Sequence, residues 1–514
     1  MHVMGPFLGQ GGSPALEDAI VLARCLGQKI RAEDLSNCGR QILIDKAGEA
    51  IDQYVKERRK RLVAVSTRTY VTGLLLQTQS QLEKFTATML LVILFRDPIG
   101  HTKYDCGCGL DMDMDSMEET HDIVIVGGGI CGLATALALH RKGLRSIILE
   151  KSETLRDTGA AIGIRANGWR ALDQLGVASE LRQRANPIHR MRDVWIDVGK
   201  QQEILEIGEC RCVKRNDLIK VLADALPPRT VRFGSQIVSV NADQENSYPT
   251  LQLYGDKSIQ AKVLIGCDGS RSTVADFLGL KSTKKFAILS VRGLTSYPNG
   301  HAFDYELTRM RRGNILVGRV PITDKLVFWF VALPRTPSDE KLTDDPEVIK
   351  RLTSSKLSGF SSDVVEMIEG AELDSVTLTR LRHRAPWDLL LTTFRNRTVT
   401  VAGDAMHVMG PFLGQGGSAA LEDAVVLARC LAQKVSAEDL SICSKKILIN
   451  KAGEAIDLYV KERRKRLVAL STRTYITGLL LETRSKLVKF IVIMLLVILF
   501  SDPVGHTKYD CGKL

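Results

Sequence analysis

The stretch Asp122-Ile-Val-Ile-Val126-Gly127-Gly128-Gly129-Ile130-Cys131-Gly132 decides the fold. Its first five residues form a short apolar, β-branched run, as a buried parallel strand requires. Leu133 to Lys142 then carries helical apolar spacing, and Ser146-Ile-Ile-Leu-Glu150 reads as a second strand ending on a carboxylate. Strand, GxGxxG, helix, strand and acidic residue together make a dinucleotide-binding unit, whereas the glycine pattern alone would be weak. Gly127 makes the tight turn, Gly129 admits a pyrophosphate against the backbone, and Gly132 lets helix and strand pack closely. Free N–H groups and the positive end of the helix dipole attract the anion. Glu150 can accept both hydroxyls of an unphosphorylated ribose, as in FAD or NAD.

Two later segments repeat the plan of an apolar strand running into a polar turn. Ala261 to Gly266 leads into Cys267-Asp268-Gly269-Ser270-Arg271-Ser272, and Thr398 to Ala402 leads into Gly403-Asp404-Ala405-Met406-His407. The second continues as Gly410-Pro411-Phe412-Leu413-Gly414-Gln415-Gly416-Gly417-Ser418, followed by a helix over 419–431. Glycines there remove side chains where a flat ring must meet backbone. The helix aims its positive end at the loop, where the N1–C2=O anion of a reduced flavin would be stabilised. The same segment occurs earlier in the chain with Ser13-Pro14 at this place, which puts the helix N-cap at Ser418.

With these three motifs in order, residues 117–514 resemble the FAD-dependent aromatic hydroxylases. These are the single-component flavoprotein monooxygenases, which include para-hydroxybenzoate and salicylate hydroxylases and zeaxanthin epoxidase. The likeness is strongest to plant monooxygenases. It implies an α/β fold: a Rossmann-like FAD-binding domain of the para-hydroxybenzoate hydroxylase type, an inserted β-sheet substrate domain, and C-terminal helices. It implies that Gly127, Gly129, Gly132 and Glu150 hold the ADP half of FAD. Arg215, in Val213-Lys-Arg-Asn-Asp-Leu218, would contact the flavin side. Asp404 would accept hydrogen bonds from the ribityl chain, and Pro411, Gly414, Gly416 and Gly417 would wrap the isoalloxazine. Asp268 and Gly269 match a motif linked to both FAD and NAD(P)H. Two departures stand out. The family often has an arginine a few residues after that glycine, where Ala275 stands, and Arg271 lies earlier. Its glycine loop often carries Asn where Gly417 or Ser418 stands.

The implied activity is that of a monooxygenase. NAD(P)H reduces the flavin, O2 adds at C4a, and the hydroperoxide passes one oxygen atom to a small aromatic or alkene substrate. A flavin oxidase or reductase without oxygen insertion is the alternative, as is a non-catalytic membrane-associated flavoprotein. No Ser-His-Asp, zinc or paired-carboxylate constellation stands out, so no side chain is assigned a catalytic role and no metal is expected. The cofactor carries the chemistry. His407 reads as packing behind the glycine loop rather than as a base. Arg292, His301, Trp329 and His383 are candidates for the substrate pocket. Against that, Trp329 in a strand reads as core, and His383, between Arg382 and Arg384, reads as solvated surface.

At 514 residues the chain exceeds one compact core. With 45% hydrophobic and 25% charged residues it is neither disordered nor collagen-like. The net charge of +11 is scattered, giving no nucleic-acid patch. Eleven cysteines without a paired framework point to a reduced, intracellular chain, cytoplasmic or peripherally membrane-bound. Cys106/Cys108 and Cys210/Cys212 lack companions at zinc spacing. No signal or transit peptide is read at the start.

Residues 1–107 repeat residues 406–512 at a constant offset of 405, with 85 of 107 positions identical. Both copies open MHVMGPFLGQGGS and close HTKYDCG. The organisation reads as a duplicated helical tail over 1–108 and a linker over 109–116. FAD-binding parts follow at 117–185, 211–284 and 386–435. Substrate-sheet parts lie at 186–210 and 285–385, and C-terminal helices at 436–514. The first copy has the glycine loop but no counterpart of Asp404, so it is not expected to bind the cofactor. Lys461-Glu-Arg-Arg-Lys-Arg466 and the apolar run Phe490 to Phe500 together suit an anionic membrane surface. A helix packed on the FAD domain with its charged face solvated is the preferred reading.

Overall fold

The computed structural model describes residues 12–29, 40–77, 119–155, 160–205, 207–242, 248–255, 257–336, 344–483, 485–499, 502 and 504–514. The chain divides into two units, Met1–Ser116 and Met117–Leu514. In the first, helix α1 (Gly12–Lys29) pairs with helix α2 (Arg40–Gln77) around Val21, Cys25, Ala50 and Tyr54. The first copy's glycine loop and apolar segment and the expected linker lie outside the described residues.

The second unit is built on an eight-stranded sheet. Its centre is β1 (Glu119–Val126), followed by α3 (Ile130–Arg141) and β2 (Ile147–Leu149). Three further segments are β3 (Ala161–Arg165), α4 (Ala166–Leu175) and, on a second sheet, β4 (Arg190–Trp195) with β5 (Lys200–Ile204). Then come β6 (Cys210–Lys214), which pairs with β3, and α5 (Arg215–Asp224). The main sheet resumes with β7 (Val231–Arg232), β8 (Ile237–Asn241), β9 (Thr250–Leu253) and β10 (Ser258–Gly266). Strands β10, β1, β2 and β7 run parallel, so crossover segments join them. Being covered on both faces, β1 is apolar without alternation, and Val124 and Ile125 are fully buried.

The second sheet has seven strands. To β4 and β5 it adds β11 (Lys284–Ser296), β12 (Glu306–Arg312), β13 (Ile315–Thr323), β14 (Leu326–Pro334) and β15 (Thr377–His383). The spatial order is β15-β11-β14-β13-β12-β4-β5. The turn signal Thr323-Asp-Lys325 joins the β13–β14 hairpin. Pro298-Asn-Gly300 does not join a hairpin, because β11 pairs with β14 and β15 instead of β12. Strand β4 ends at Trp195, where the chain turns into a short 3-10 helix over Ile196–Val198.

The chain then returns to the main sheet through β16 (Arg395–Asn396) and β17 (Val399–Val401). It enters α6 (Asp404–His407), then α7 (Gly416–Lys434), the 38-residue α8 (Lys445–Glu482) and α9 (Lys486–Leu499). The last ten residues are not a long helix but a strap. Arg170 donates to the carbonyls of Lys508 and Tyr509 at 3.1 and 3.0 Å, and the Leu514 N–H donates to Gln174 Oε1 at 3.0 Å. Among the described residues no helix is long and apolar enough to cross a membrane.

Candidate active site

The three motifs lie far apart in sequence but end adjacent parallel strands. Val126 is level with both Leu149 and Gly266, and Gly266 is level with Val401. Their turns therefore emerge side by side at the carboxyl edge of one sheet, the crevice where open α/β sheets bind ligands.

At the first turn Gly127 has φ +102°, and a Cβ there would stand 2.6 Å from the Cys267 carbonyl oxygen. A Cβ on Gly132 would come within 1.9 Å of the Gly127 carbonyl oxygen, so only glycine lets α3 begin under the strand. Nothing lies within 4 Å of a Cβ at Gly129, which caps α3 with no side-chain bond. Open space in front of unpaired helix N–H groups is what a diphosphate needs. Glu150 is buried, accepting from Gly128 N at 2.6 Å and Ser152 N at 3.0 Å, so its carboxylate is fixed in place.

The second turn uses half of its carboxylate for itself. Asp268 Oδ2 accepts from Thr273 N at 2.7 Å, whereas buried Oδ1 has no partner among the described residues. Burial raises the pKa of this group, and the turn's hydrogen bonds oppose that rise.

The third turn presents Asp404. Gly403, at φ +61°, swings the chain out of β17, and Asp404 is exposed inside the cavity that the surrounding protein encloses. No hydrogen bond to Asp404 is made among the described residues. This enclosure raises its pKa, while His407, Arg292 and Arg215 pull it down. The loop then runs through Pro411, Gly414 in the left-handed region, Gly416 and Gly417. A Cβ on Gly417 would strike Ile162 at 2.3 Å.

These turns line a cavity of about 1080 Å³. Of the twelve residues expected to hold the cofactor, eleven line it: Gly127, Gly129, Glu150, Arg215, Asp268, Gly269, Asp404, Pro411, Gly414, Gly416 and Gly417. Gly132 lies beneath, serving the packing. One face of the second sheet roofs the cavity with Leu307, Leu316, Val320, Phe328 and Phe330.

Of the four pocket candidates only Arg292 reaches the cavity. Burial lowers its pKa and Arg215 adds to that, with Asp404 opposing. Trp329 points to the other face, fully buried, its Nε1 donating to Thr295 Oγ1 at 3.0 Å. His301 bonds the Thr323 carbonyl at 2.7 Å in a loop. His383 is not solvated surface: it is buried with its ring 4.3 Å from Phe286, and burial lowers its pKa. The strand turns this residue inward although both its neighbours are arginines.

Ser418 is not the N-cap. Helix α7 starts at Gly416 after Gln415, and Ser418 lies in its first turn, buried against Gly168. In the first copy Pro14 likewise falls within the first turn of α1, where a missing N–H costs nothing. A short side chain is needed there because α4 and α7 approach closely.

Behind the loop lies a fully buried charge network. His407 Nε2 is 2.6 Å from Asp423 Oδ2, which also accepts from Gly403 N at 2.8 Å. Arg463 Nε donates to Asp423 Oδ1 at 2.7 Å, and its Nη1 lies 2.7 Å from Glu422 Oε2. Asn167 links Glu422 to Gln415 at 2.6 and 2.8 Å. Burial alone would raise the pKa of Asp423, but His407 and Arg463 outweigh it and hold the group at about 2. The network fastens the Asp404 turn and the glycine loop to α7 and α8. His407 thus packs behind the loop. No single motif marks this network, since its members come from four separate stretches.

A dinucleotide-binding α/β oxidoreductase with a roofed cavity is the class these features define. The family model for the FAD binding domain matches residues 120–440, and the chain belongs to that family. It is 52% identical over 404 residues to Monooxygenase 1 of Arabidopsis thaliana, covering 77% of this chain and all of that one. It is 35% identical over 411 residues to Monooxygenase 2 of the same plant, covering 77% and 99%. Among solved structures, Klebsiella pneumoniae HpxO complexed with FAD and uric acid has a TM-score of 0.61 at 21% identity. That match covers 75% of this chain and 98% of that one, and it bears on the fold. The protein is an FAD-dependent monooxygenase of the aromatic-hydroxylase type, with NAD(P)H as co-substrate and with O2 and a small molecule as its reactants.

Proposed function

We propose that the chain hydroxylates or epoxidises a small aromatic or alkene substrate held between the Asp404 turn and the apolar roof. The observation that carries this reading is the convergence of three strand-end turns on one cavity whose far wall is sheet, apolar at Leu307, Leu316, Phe328 and Phe330 and cationic at Arg292, Arg309 and Arg311. The residues present fit FAD. Open space faces the α3 N-terminus at Gly129, and Asp268 Oδ1 is a buried acceptor with no partner among the described residues. Gly127, Gly129 and Glu150 would hold the ADP half, Arg215 and Asp268 the middle of the cofactor, and Asp404 its ribityl chain. Pro411 and Gly414 to Gly417 would border the ring. When bound, FAD supplies electron transfer from NAD(P)H and activation of O2.

The chain's own residues do the rest. The α7 N-terminus stabilises negative charge at the ring edge. Phe328, Phe330, Leu307 and Leu316 exclude water and give the substrate an apolar bed. Arg271 lies at the cavity wall and Ala275 is buried, so Arg271 is the available cation for the nicotinamide cofactor's phosphates in this turn.

The test is the visible spectrum of the full chain before and after NADPH under anaerobic conditions, followed by oxygenated product formed in step with NADPH use. A yellow protein that bleaches and then makes product supports the reading. Bleaching with peroxide as the sole product across aromatic and alkene substrates would favour the oxidase alternative. Asp404→Ala should cut FAD content severalfold; unchanged content would remove its assigned role.

Peripheral membrane contact belongs to this reading through α9 rather than through the basic cluster. Arg463 is consumed by the buried network, and Arg464 donates to the carbonyls of Leu389 and Leu390 at 2.8 and 2.7 Å. Helix α9 instead exposes Leu487, Phe490, Ile491, Ile493 and Met494. Ile493 and Leu496 also line the cavity, so an apolar substrate would enter past this helix from a bilayer surface. Cosedimentation with lipid vesicles that persists in Phe490→Ser/Met494→Ser would overturn this.

A further inference from the structure

The terminal strap brings a histidine to the cavity that the motifs do not mark. His506 lines it, and its Nδ1 faces Arg473 Nη1 at 3.2 Å. A guanidinium only donates, so Nδ1 is the acceptor and the proton sits on Nε2. That Nε2 is buried and has no partner among the described residues. Burial, reinforced by Arg473, Arg165 and Arg466, pushes the pKa of His506 down to about 3, so the ring stays neutral at working pH.

A second donor is in the same state. Arg165 closes β3 and is 8% exposed. Its Nη2 reaches the Met191 sulfur at 2.9 Å, its charge also bears on the buried Cys210 thiol, and its buried Nη1 has no partner among the described residues. It also lines the cavity, and no acid forms an ion pair with it among the described residues. A buried guanidinium left without an anion is costly, because its charge gives up hydration and gains no partner. An unpaired N–H beside it adds a further desolvation cost.

We propose that Arg165 and His506 form an anion subsite in the cavity, one that binds a carboxylate or phosphate oxygen through Arg165 Nη1 and His506 Nε2. Arg473 holds the His506 ring in the donating tautomer. The inference rests on the monooxygenase reading and deepens it, because the preferred source of the anion is a carboxylate on the aromatic substrate. The cofactor's diphosphate offers the same chemistry, and the experiment separates the two.

The experiment uses the full-length holoenzyme and benzoate as the probe, with benzamide as its neutral counterpart. Binding is followed by calorimetry, which does not depend on flavin colour, and FAD content is measured separately. In Arg165→Met and His506→Leu the benzoate Kd should rise about tenfold or more, as expected for loss of a charge-assisted hydrogen bond. FAD content and benzamide binding should not change. His506→Gln, which keeps a donor near Nε2, should stay within about threefold of the parent. Thermal unfolding of each variant identifies any that simply misfold, and Arg165→Lys and His506→Gln then carry the test. If FAD content falls while benzoate binding per bound flavin holds, the subsite belongs to the diphosphate. If neither moves, or if the parent holoenzyme binds benzoate no better than benzamide, the subsite does not exist. An apoprotein that takes up no FAD while these variants still weaken benzoate would overturn the flavin reading alone.

Discussion

Helices α1 and α2 of the first unit are a second printing of α7 and α8, and the two printings differ in what surrounds them. The ion pairs recur at the offset of 405. Arg58 lies 2.7 Å from both Glu17 and Asp18, as Arg463 does from Glu422 and Asp423. Lys29–Glu49 matches Lys434–Glu454 at 2.9 Å, and Arg24–Glu57 matches Arg429–Glu462. The helical pair is therefore specified by its own side chains and needs no sheet. Burial is not inherited in the same way. Ile456 is fully buried on the sheet side of α8, whereas Ile51 is 48% exposed; Val460 is 8% exposed and Val55 38%. The apolar face that fastens α8 to the flavin domain is uncovered on its twin. One sequence thus encodes a local hairpin in both copies and, in the second, a docking face for the sheet.

The sharpest way to break this comparison is to remove the arginine from each. Arg463→Ala strands two fully buried carboxylates and should cost about 3–5 kcal/mol, with flavin released at lower temperature. Arg58→Ala strands carboxylates whose side chains are 14% and 18% exposed and can rehydrate. Its effect on the flavin-linked melting transition should be undetectable. Equal effects on that transition would mean that the first unit takes part in holding the cofactor.

Acid gives a smaller effect with a definite sign. The folded pKa of Asp423 is held near 2, below its ordinary value of 3.8. A depressed carboxylate adds stability that is complete above the unfolded pKa and is lost as pH falls through the folded one. Between about pH 4 and 2 the second unit should lose roughly 2 kcal/mol through this residue. Flavin retention measured across that window in the parent and in Asp423→Asn would show it. A parent whose pH slope matches that of Asp423→Asn would remove the assignment.

The comparison also explains what could be read in advance. The three strand-and-turn motifs were legible because each is local: Val126, Gly266 and Val401 each end a buried apolar run immediately before the functional turn. That they meet follows from parallel pairing, which the βαβ pattern implies. The order of the roof sheet was not legible. Its strands are apolar on both faces in places, and β12 pairs in parallel with β4, more than a hundred residues earlier. The strap that carries His506 was hidden for a similar reason. The strap's partners Arg170 and Gln174 lie over 330 residues away, and no spacing rule links them. The one available signal was that HTKYDCG survives unchanged in both copies. His383 misled because flanking charges say nothing about a strand residue's own face.

The smallest predicted effect isolates the docking face from the hairpin. Tyr459 and Tyr54 stand at equivalent positions, and both are buried. In the second unit the Tyr459 hydroxyl leaves the ion pair and donates to the Val401 carbonyl at 3.3 Å, joining α8 to the strand that ends at the Asp404 turn. In the first unit the Tyr54 hydroxyl turns to Asp18; burial and this carboxylate raise its pKa. The same side chain thus serves a tertiary bond in one copy and an internal one in the other. Tyr459→Phe should cost about 1 kcal/mol of the flavin-linked transition, the net worth of a typical hydrogen bond. Tyr54→Phe should leave that transition where it is. The measurement is the pair of melting curves read by flavin fluorescence. If Tyr459→Phe is silent, the hydroxyl is incidental and the docking face rests on Ile456 and Val460 alone. If Tyr54→Phe also shifts the transition, the shift does not come from the Val401 bond.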